Sequence, residues 1–308
     1  MRIAIVAPGA VGGYFGALLA KSGETVAALA RGAHLKAIQQ DGLKVEGPRG
    51  GFSARLDASD DAAKLGIADI VLFAVKLYGA ADAARAAAPL FGPGTLGISL
   101  LNGIDGHEIM GRELLGRTVV GGAAYVSAVI TAPGHLRYTG DMSSIAFGAP
   151  KDEVMRAKAA DFAERCRRAG FKAEMSDDVQ SVLWRKFVGL VTNAALTTAA
   201  RLPAGSLYSD PDVMAVALAL AVEATAVGRA MGAKLPEDIA ETSAARLKEF
   251  PPGMYASMYH DYAKGGPIEI EGMSGYLVRE GRRLGIPTPH HAAIYAVLKP
   301  HRAGTPKY

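Results

Sequence analysis

Arg2-Ile3-Ala4-Ile5-Val6-Ala7-Pro8-Gly9-Ala10-Val11-Gly12 is the stretch whose reading decides the fold. The apolar run Ile3–Val6 reads as a strand buried on both faces, as a parallel sheet between helices requires. The pattern breaks at Pro8-Gly9 and resumes as a helix over Val11–Ser22, with Gly23 suited to its C-terminal cap. Strand, glycine turn and helix in that order resemble the start of a dinucleotide-binding unit, whose full signature is G-x-G-x-x-G. Here Ala7 stands in the place of the first glycine. Gly9 would let the backbone approach a pyrophosphate, and Gly12 would let the helix close on the strand. Free N–H groups at Ala10 and Val11 would face the phosphates. Pro8 takes away one donor and disfavours the helical region for Ala7, so the turn is expected to form without a positive φ at Ala7. A plain strand–turn–helix is the alternative reading.

Outward from this segment, Thr25–Ala30 reads as a second strand. Leu43–Glu46 and Phe52–Leu56, around Gly47, Gly50 and Gly51, read as a hairpin. Ile70–Val75, Leu96–Leu101 and Thr118–Ala128 are further strands. A helix over 151–170 follows, with Asp152 as cap, then a last strand over Phe171–Met175. Such alternation predicts an α/β, Rossmann-type doubly wound sheet over residues 1–177. Asp177-Asp178 caps what comes next. Phe187–Ala200 carries no charge and should be a helix buried all round. Residues 178–308 are therefore expected to form an all-helical domain, and 308 residues are more than one ordinary core accommodates.

The net charge of +4 is spread along the chain, with Arg165, Arg167, Arg168 and Arg279, Arg282, Arg283 on helical patterns as solvated faces. No nucleic-acid partner is expected. The single cysteine, Cys166, continues the stripe Met155, Ala159, Phe162 and reads as a core thiol. His290-His291 is the only histidine pair, and adjacent helical side chains do not share a site, so no metal is expected. The apolar segment Val213–Val227 contains Glu223 and reads as too short and too polar to cross a bilayer. With no leader before the first strand, the expected location is cytoplasmic, with no membrane partner.

The second strand runs into Ala30-Arg31, where an NAD site would place an acidic residue on the ribose 2′-OH. Arg31 offers a fork of donors to a 2′-phosphate, which favours NADP(H) over NAD(H); a surface arginine is the plainer alternative. Lys76 and Asn102 also end strands, where open α/β sheets bind ligands, although either would serve as an ordinary strand-end residue.

Taken together, these residues resemble the ketopantoate reductase (2-dehydropantoate 2-reductase) family. The N-terminal marks are the partial fingerprint with Gly13-Tyr14-Phe15-Gly16, Arg31, Lys76 and Leu101-Asn102-Gly103. The C-terminal marks are Leu183-Trp184-Arg185-Lys186-Phe187, Ala256-Ser257-Met258-Tyr259-His260-Asp261 and Ile268-Glu269-Ile270-Glu271-Gly272-Met273-Ser274-Gly275, with Gly285-Ile286-Pro287-Thr288-Pro289 after them. The resemblance implies hydride transfer from NADPH to the keto carbon of a 2-keto acid, as in pantothenate biosynthesis. By the same resemblance Lys186 is the general acid, standing at the start of a buried helix. Asn102 meets both nicotinamide and substrate, and Lys76 lies near the adenosine ribose phosphate. Glu269 stands near the nicotinamide ribose and the lysine, Ser257 holds the substrate carboxylate, and the backbone at Ala128 touches the cofactor.

The chain departs from the family where asparagines are expected, at Leu190, Ala194, Ala204 and Met254. Lost polar partners should shift preference toward a less polar side chain. A related hydroxyacid, polyol or opine-type dehydrogenase and a non-catalytic NADP(H)-binding sensor are the competing readings. The helix over 213–232 offers either a homodimer interface or burial within its own domain.

Overall fold

Ile3, Ala4, Ile5 and Val6 lie in a strand with no face to water because each side of it is covered by helices. That strand, β1 (Arg2–Val6), is the centre of a parallel sheet in a computed structural model that describes residues 1–48 and 50–306. The other strands are β2 (Thr25–Leu29), β3 (Leu43–Glu46), β4 (Phe52–Ala54), β5 (Asp57–Ser59), β6 (Ala68–Phe73), β7 (Phe91–Ser99), β8 (Thr118–Ala132), β9 (His135–Gly148) and β10 (Lys172–Ser176). Six of them run parallel in the order β5-β2-β1-β6-β7-β8. This is the doubly wound dinucleotide-binding order, with its switch point between β1 and β6. The helices of this part are α1 (Ala10–Lys21), α2 (Gly32–Asp41), α3 (Ala62–Leu65), α4 (Ala80–Ala87), α5 (Gly106–Glu113) and α6 (Glu153–Arg168).

Glycines set how closely α1 approaches the sheet. A Cβ at Gly12 would fall 2.8 Å from Ala74 Cβ and 3.0 Å from Ile5 Cγ2, and one at Gly16 would fall 2.8 Å from Ile5 Cγ1. On α6, Asp152 accepts a hydrogen bond from Met155 N at 2.9 Å and caps the helix as expected. Cys166 is fully buried in the core with Met155, Ala159 and Phe162, and burial pushes its thiol pKa well up, away from reactivity.

The hairpin β3–β4 forms as expected. The sequence reading ends the Thr118 strand at Ala128 and places nothing over 135–148. The structure instead has a long antiparallel hairpin of β8 and β9. β9 then pairs in parallel with both β3 and β10. The strand escapes detection because its middle, Thr139 to Ser143, is mostly polar, contains Gly140, exposes its one large apolar residue, Met142, and leaves much of its surface open, so the alternation is interrupted.

The chain divides into two compact units, Met1–Val182 and Leu183–Tyr308, and the division falls inside α7 (Val179–Ala200). The second unit is helical: α8 (Ala204–Leu207), α9 (Pro211–Ala230), α10 (Ile239–Arg246), α11 (Ser257–Ala263), α12 (Ser274–Leu284) and α13 (Pro289–Leu298). Val191–Thr198 of α7 are all buried, as the uncharged stretch requires.

Helix α9 has 20 residues, extends beyond the apolar segment Val213–Val227 that reads as too short and too polar, and is long and apolar enough to cross a membrane by length and composition. In this fold one face of it packs against α10, α12 and α13. Glu223 lies on that face, and its carboxylate accepts hydrogen bonds from the first-turn amides of His290 and His291, each at 2.9 Å. It therefore caps α13 from another helix. The two histidines diverge as expected. His290 Nδ1 meets Glu223 at 2.7 Å, whereas the fully buried His291 lies between Ser274 Oγ and Leu220 O, each at 3.1 Å. Burial holds the His291 pKa below its ordinary value.

Candidate active site

In the first unit, β7, β6, β1 and β2 lie side by side and parallel. The chain leaves them along one edge, in the order Asn102, Lys76, Ala7 and Arg31. Four neighbouring strands at about 4.8 Å spacing make this row about 14 Å long. The sequence placed all four at strand ends, and the sheet order puts them in one row. Lys76 and Asn102 are half-buried, and Asn102 is followed by Gly103 with φ +110°, which turns the chain sharply. Arg31 is exposed, precedes α2 as its N-cap residue, and has no carboxylate partner among the described residues.

The turn after β1 corrects the sequence reading. Ala7 has φ +59°, in the left-handed region where glycine is at ease and where Pro8 was expected to forbid it. The penalty for a non-glycine residue there is about 1–2 kcal/mol. Local bonds offset it. Ala7 N–H donates to Leu29 O at 3.0 Å, and Gly9 N–H donates back to Ala7 O at 2.7 Å, closing a tight turn around Pro8. The left-handed alanine thus does what the missing glycine would have done. Pro8 is buried and its carbonyl accepts from His34 Nε2 at 2.8 Å.

Gly9 is the N-cap of α1 and no side chain caps this helix. The first-turn amides Ala10, Val11 and Gly12 have no intrahelical acceptor. A Cβ at Gly9 would meet nothing nearer than 3.9 Å, so there is space above the turn for a phosphate group. The donors, the open backbone and Arg31 fit a dinucleotide phosphate. Ala128 lies on β8 beyond its pairing with β7, opposite Tyr138 of β9. Ile130, two residues further on the same strand face, is one of the two atoms 3.9 Å from the Gly9 Cβ position. The strand of Ala128 thus reaches back to the turn.

The second unit holds Lys186, Glu269 and Ser257. The sequence reading put Lys186 at a helix start. However, Asp178 accepts from Ser181 N at 3.1 Å and from Ser181 Oγ at 2.8 Å, and the helix begins at Val179. Lys186 is therefore two turns inside α7 and cannot reach water past a helix end. Burial pushes its pKa down to about 8, against the opposing pull of the Glu269 carboxylate. Glu269, only 3% exposed, stands in a short 3-10 turn ahead of α12. Glu271 anchors this turn through Arg279 Nη1 and the Tyr295 hydroxyl, both at 2.9 Å. Ser257 is exposed at the start of α11.

Of the four apolar replacements, Ala194 and Ala204 are 2% exposed, while Leu190 and Met254 are half-buried. Ala204 N–H donates to Met254 O at 2.8 Å, which ties two of them together. Asn193 does not substitute for the absent asparagines. It is buried, and its Oδ1 accepts from the Tyr208 hydroxyl at 2.7 Å. Tyr255 stacks on Tyr259 with ring centroids 4.0 Å apart. The sequence reading passed over His34, although its place three residues after Arg31 puts it in the first turn of α2, beside the strand ends.

A doubly wound dinucleotide-binding sheet, with a half-buried lysine and a buried carboxylate in a helical unit, defines a nicotinamide-dependent oxidoreductase as the class. The comparisons agree. Residues 3–152 match the model of the ketopantoate reductase PanE/ApbA family, and residues 178–302 match the model of that family's C-terminal domain. The chain belongs to the ketopantoate reductase family, whose members are NAD(P)-dependent oxidoreductases. The crystal structure of a PanE/ApbA family ketopantoate reductase from Ralstonia eutropha JMP134 superposes with a TM-score of 0.89 at 34% identity, covering 97% of each chain. A 2-dehydropantoate 2-reductase of Caulobacter vibrioides is 30% identical over 96% of this chain and 97% of its own. Another, from Mesorhizobium japonicum, is 28% identical over 97% of each.

Proposed function

We propose that the protein is an NADPH-dependent reductase of a 2-keto acid, with Lys186 as general acid. The observation that carries this reading is a half-buried ammonium inside α7, its pKa pushed down to about 8 and opposed by the carboxylate of Glu269. A general acid is most effective when its pKa lies near the working pH.

NADPH, when bound, supplies the hydride that adds to the keto carbon. The chain's own residues do the rest. The amides of Ala10, Val11 and Gly12 receive the pyrophosphate. Arg31 and Lys76 hold the 2′-phosphate, and the backbone near Ala128 flanks the cofactor. Lys186 Nζ gives its proton to the former ketone oxygen as charge develops there, and the neutral amine is recharged from water. Glu269 keeps the lysine protonated in the ground state by opposing its loss of charge on burial. Asn102 orients the carbonyl and Ser257 binds the substrate carboxylate.

Leu190, Ala194, Ala204 and Met254 offer no side-chain hydrogen bond, and Asn193 is already paired with Tyr208. A substrate hydroxyl therefore finds fewer partners than ketopantoate needs. The preferred 2-keto acid has an apolar side chain, each missing contact costing about 1–3 kcal/mol toward a hydroxylated one. The test follows NADPH oxidation against ketopantoate, its analogues lacking the hydroxyl, and other carbonyl compounds, with wild type and Lys186→Ala. Highest kcat/KM for an apolar 2-keto acid, and a loss of about 100-fold or more in kcat for the variant, support the proposal. A protein that binds NADPH but reduces none of these compounds points to a sensor instead.

A further inference from the structure

His34 bridges two backbone segments that the sequence keeps far apart. Its Nδ1 lies 3.0 Å from Gly134 N, in the turn between β8 and β9, and its Nε2 lies 2.8 Å from Pro8 O. A backbone N–H only donates and a carbonyl only accepts. Both partners therefore impose one form of the ring: Nδ1 carries the lone pair and Nε2 carries the proton, which it donates to Pro8. Close packing fixes the Gly134 end. Gly134 has φ +73°, a Cβ there would fall 2.8 Å from Ala37 Cβ one turn further along α2, and its carbonyl accepts from Lys44 N at 2.9 Å.

The bridge holds the residue that most needs holding. Pro8 is the middle of the tight turn closed by Gly9 N–H on Ala7 O, and that turn contains the left-handed Ala7. Among the described residues, the other hydrogen bonds that anchor the turn run main chain to main chain. His34 is the side chain that grips its carbonyl, and it does so from the same helical turn that Arg31 precedes.

We propose that His34 is a positioning residue for the dinucleotide. Its Nε2–H bond to Pro8 keeps the Ala7-Pro8-Gly9 turn in the form that leaves the Ala10 and Val11 amides open to a pyrophosphate. It also fixes the distance between that turn and Arg31, so that the pyrophosphate and the 2′-phosphate of the adenosine ribose are met by one preset frame. This rests on the reading of the turn as the dinucleotide site.

Three variants separate the two bonds. His34→Gln supplies an acceptor and a donor from one amide on a side chain of similar length. His34→Asn places its oxygen near the Nδ1 position, keeping Gly134 and losing Pro8. His34→Phe fills the space and loses both. The readouts are the Kd for NADPH by titration, hydrogen exchange at the Gly9 and Gly134 amides in the free protein, and steady-state kinetics. We expect His34→Gln to bind like wild type. His34→Asn and His34→Phe should bind NADPH about 10-fold more weakly, the ordinary cost of orphaning one buried carbonyl. KM for NADPH should rise with little change in kcat, and Gly134 exchange should speed up in His34→Phe alone. His34→Asn keeps the Gly134 contact and serves as the folded variant should His34→Phe fail to fold. Normal Kd in His34→Asn overturns the proposal, as does a His34→Gln protein as weak as His34→Asn. Wild type that binds no NADPH overturns the dinucleotide reading itself.

Discussion

Lys186 makes the stability of the helical unit depend on pH in a direction opposite to most lysines that gain a partner. Its pKa in the folded protein is about 8, against an ordinary value of 10.5. Between those two pH values the unfolded chain holds the proton and the folded protein does not. Stability therefore rises with pH across that window, by at most about 1.4 kcal/mol per pH unit. Integrated from pH 7 to pH 9.5, the gain is about 2 kcal/mol, an upper figure because solvent still reaches the half-buried chain. The reference is Lys186→Met, which removes the titrating group and keeps the length and apolar character of the stem. The assay uses the single tryptophan, Trp184, which is fully buried two residues away and reports unfolding of this unit. Urea titrations of both proteins at pH 7 and 9.5 then give a difference of differences, in which other titrating groups cancel. If the wild type gains no more stability than Lys186→Met, the ammonium is not held out of water and the general-acid argument loses its basis.

Three further outcomes follow from the same contacts. Glu269→Gln removes the charge that raises the Lys186 pKa, so the alkaline fall of kcat, expected near pH 8 in wild type, should move to lower pH; an unmoved pH–rate profile would separate the two residues. Arg31→Ala should raise the Kd for NADPH about 10- to 100-fold and change that for NADH little, read by parallel titrations, since a charge-assisted contact to phosphate contributes about 1.5–3 kcal/mol. Glu223→Ala orphans the His290 and His291 amides, each now bonded at 2.9 Å, and should lower the urea stability of the helical unit by about 2–3 kcal/mol; a loss under 0.5 kcal/mol would mean that water caps α13 equally well.

What the sequence revealed and what it hid divide by range. Ile3–Val6, Gly9, Gly12 and Arg31 were legible because strand, turn and helix carry local patterns, and because ligands meet α/β sheets at strand ends. The conformation of Ala7 was not legible. The local rule for a residue before proline points the wrong way, and the bond from Ala7 N to Leu29 O that overrides it joins residues 22 positions apart. The cap at Asp178 was legible, but the depth of Lys186 was not: the polar residues Gln180, Ser181 and Arg185 interrupt the apolar pattern, so it does not mark one helix running from Val179 through Phe187. β9 stayed hidden because pairing with three other strands, rather than its own alternation, makes it a strand. The family resemblance supplied roles for Asn102, Glu269 and Ser257 that no local pattern contains, and those roles are what the variants above examine.

The way β9 joins the sheet also orders the events of folding. β3, made from residues 43–46, has its parallel neighbour at residues 135–137, and β10 pairs with the far end of the same strand. Contacts this distant in sequence form late, because a long loop must close before they contribute. During synthesis the first eight strands can emerge while β3–β4 and the outer half of β8 still present open edges, with Val129 and Ile130 among them. Such edges are where another nascent chain would attach. These edges are thus covered only when β9, and then β10 ending at Ser176, have left the ribosome. A chain cut between Ala132 and His135 should accumulate as insoluble protein although it retains the whole parallel sheet and the entire row from Asn102 to Arg31.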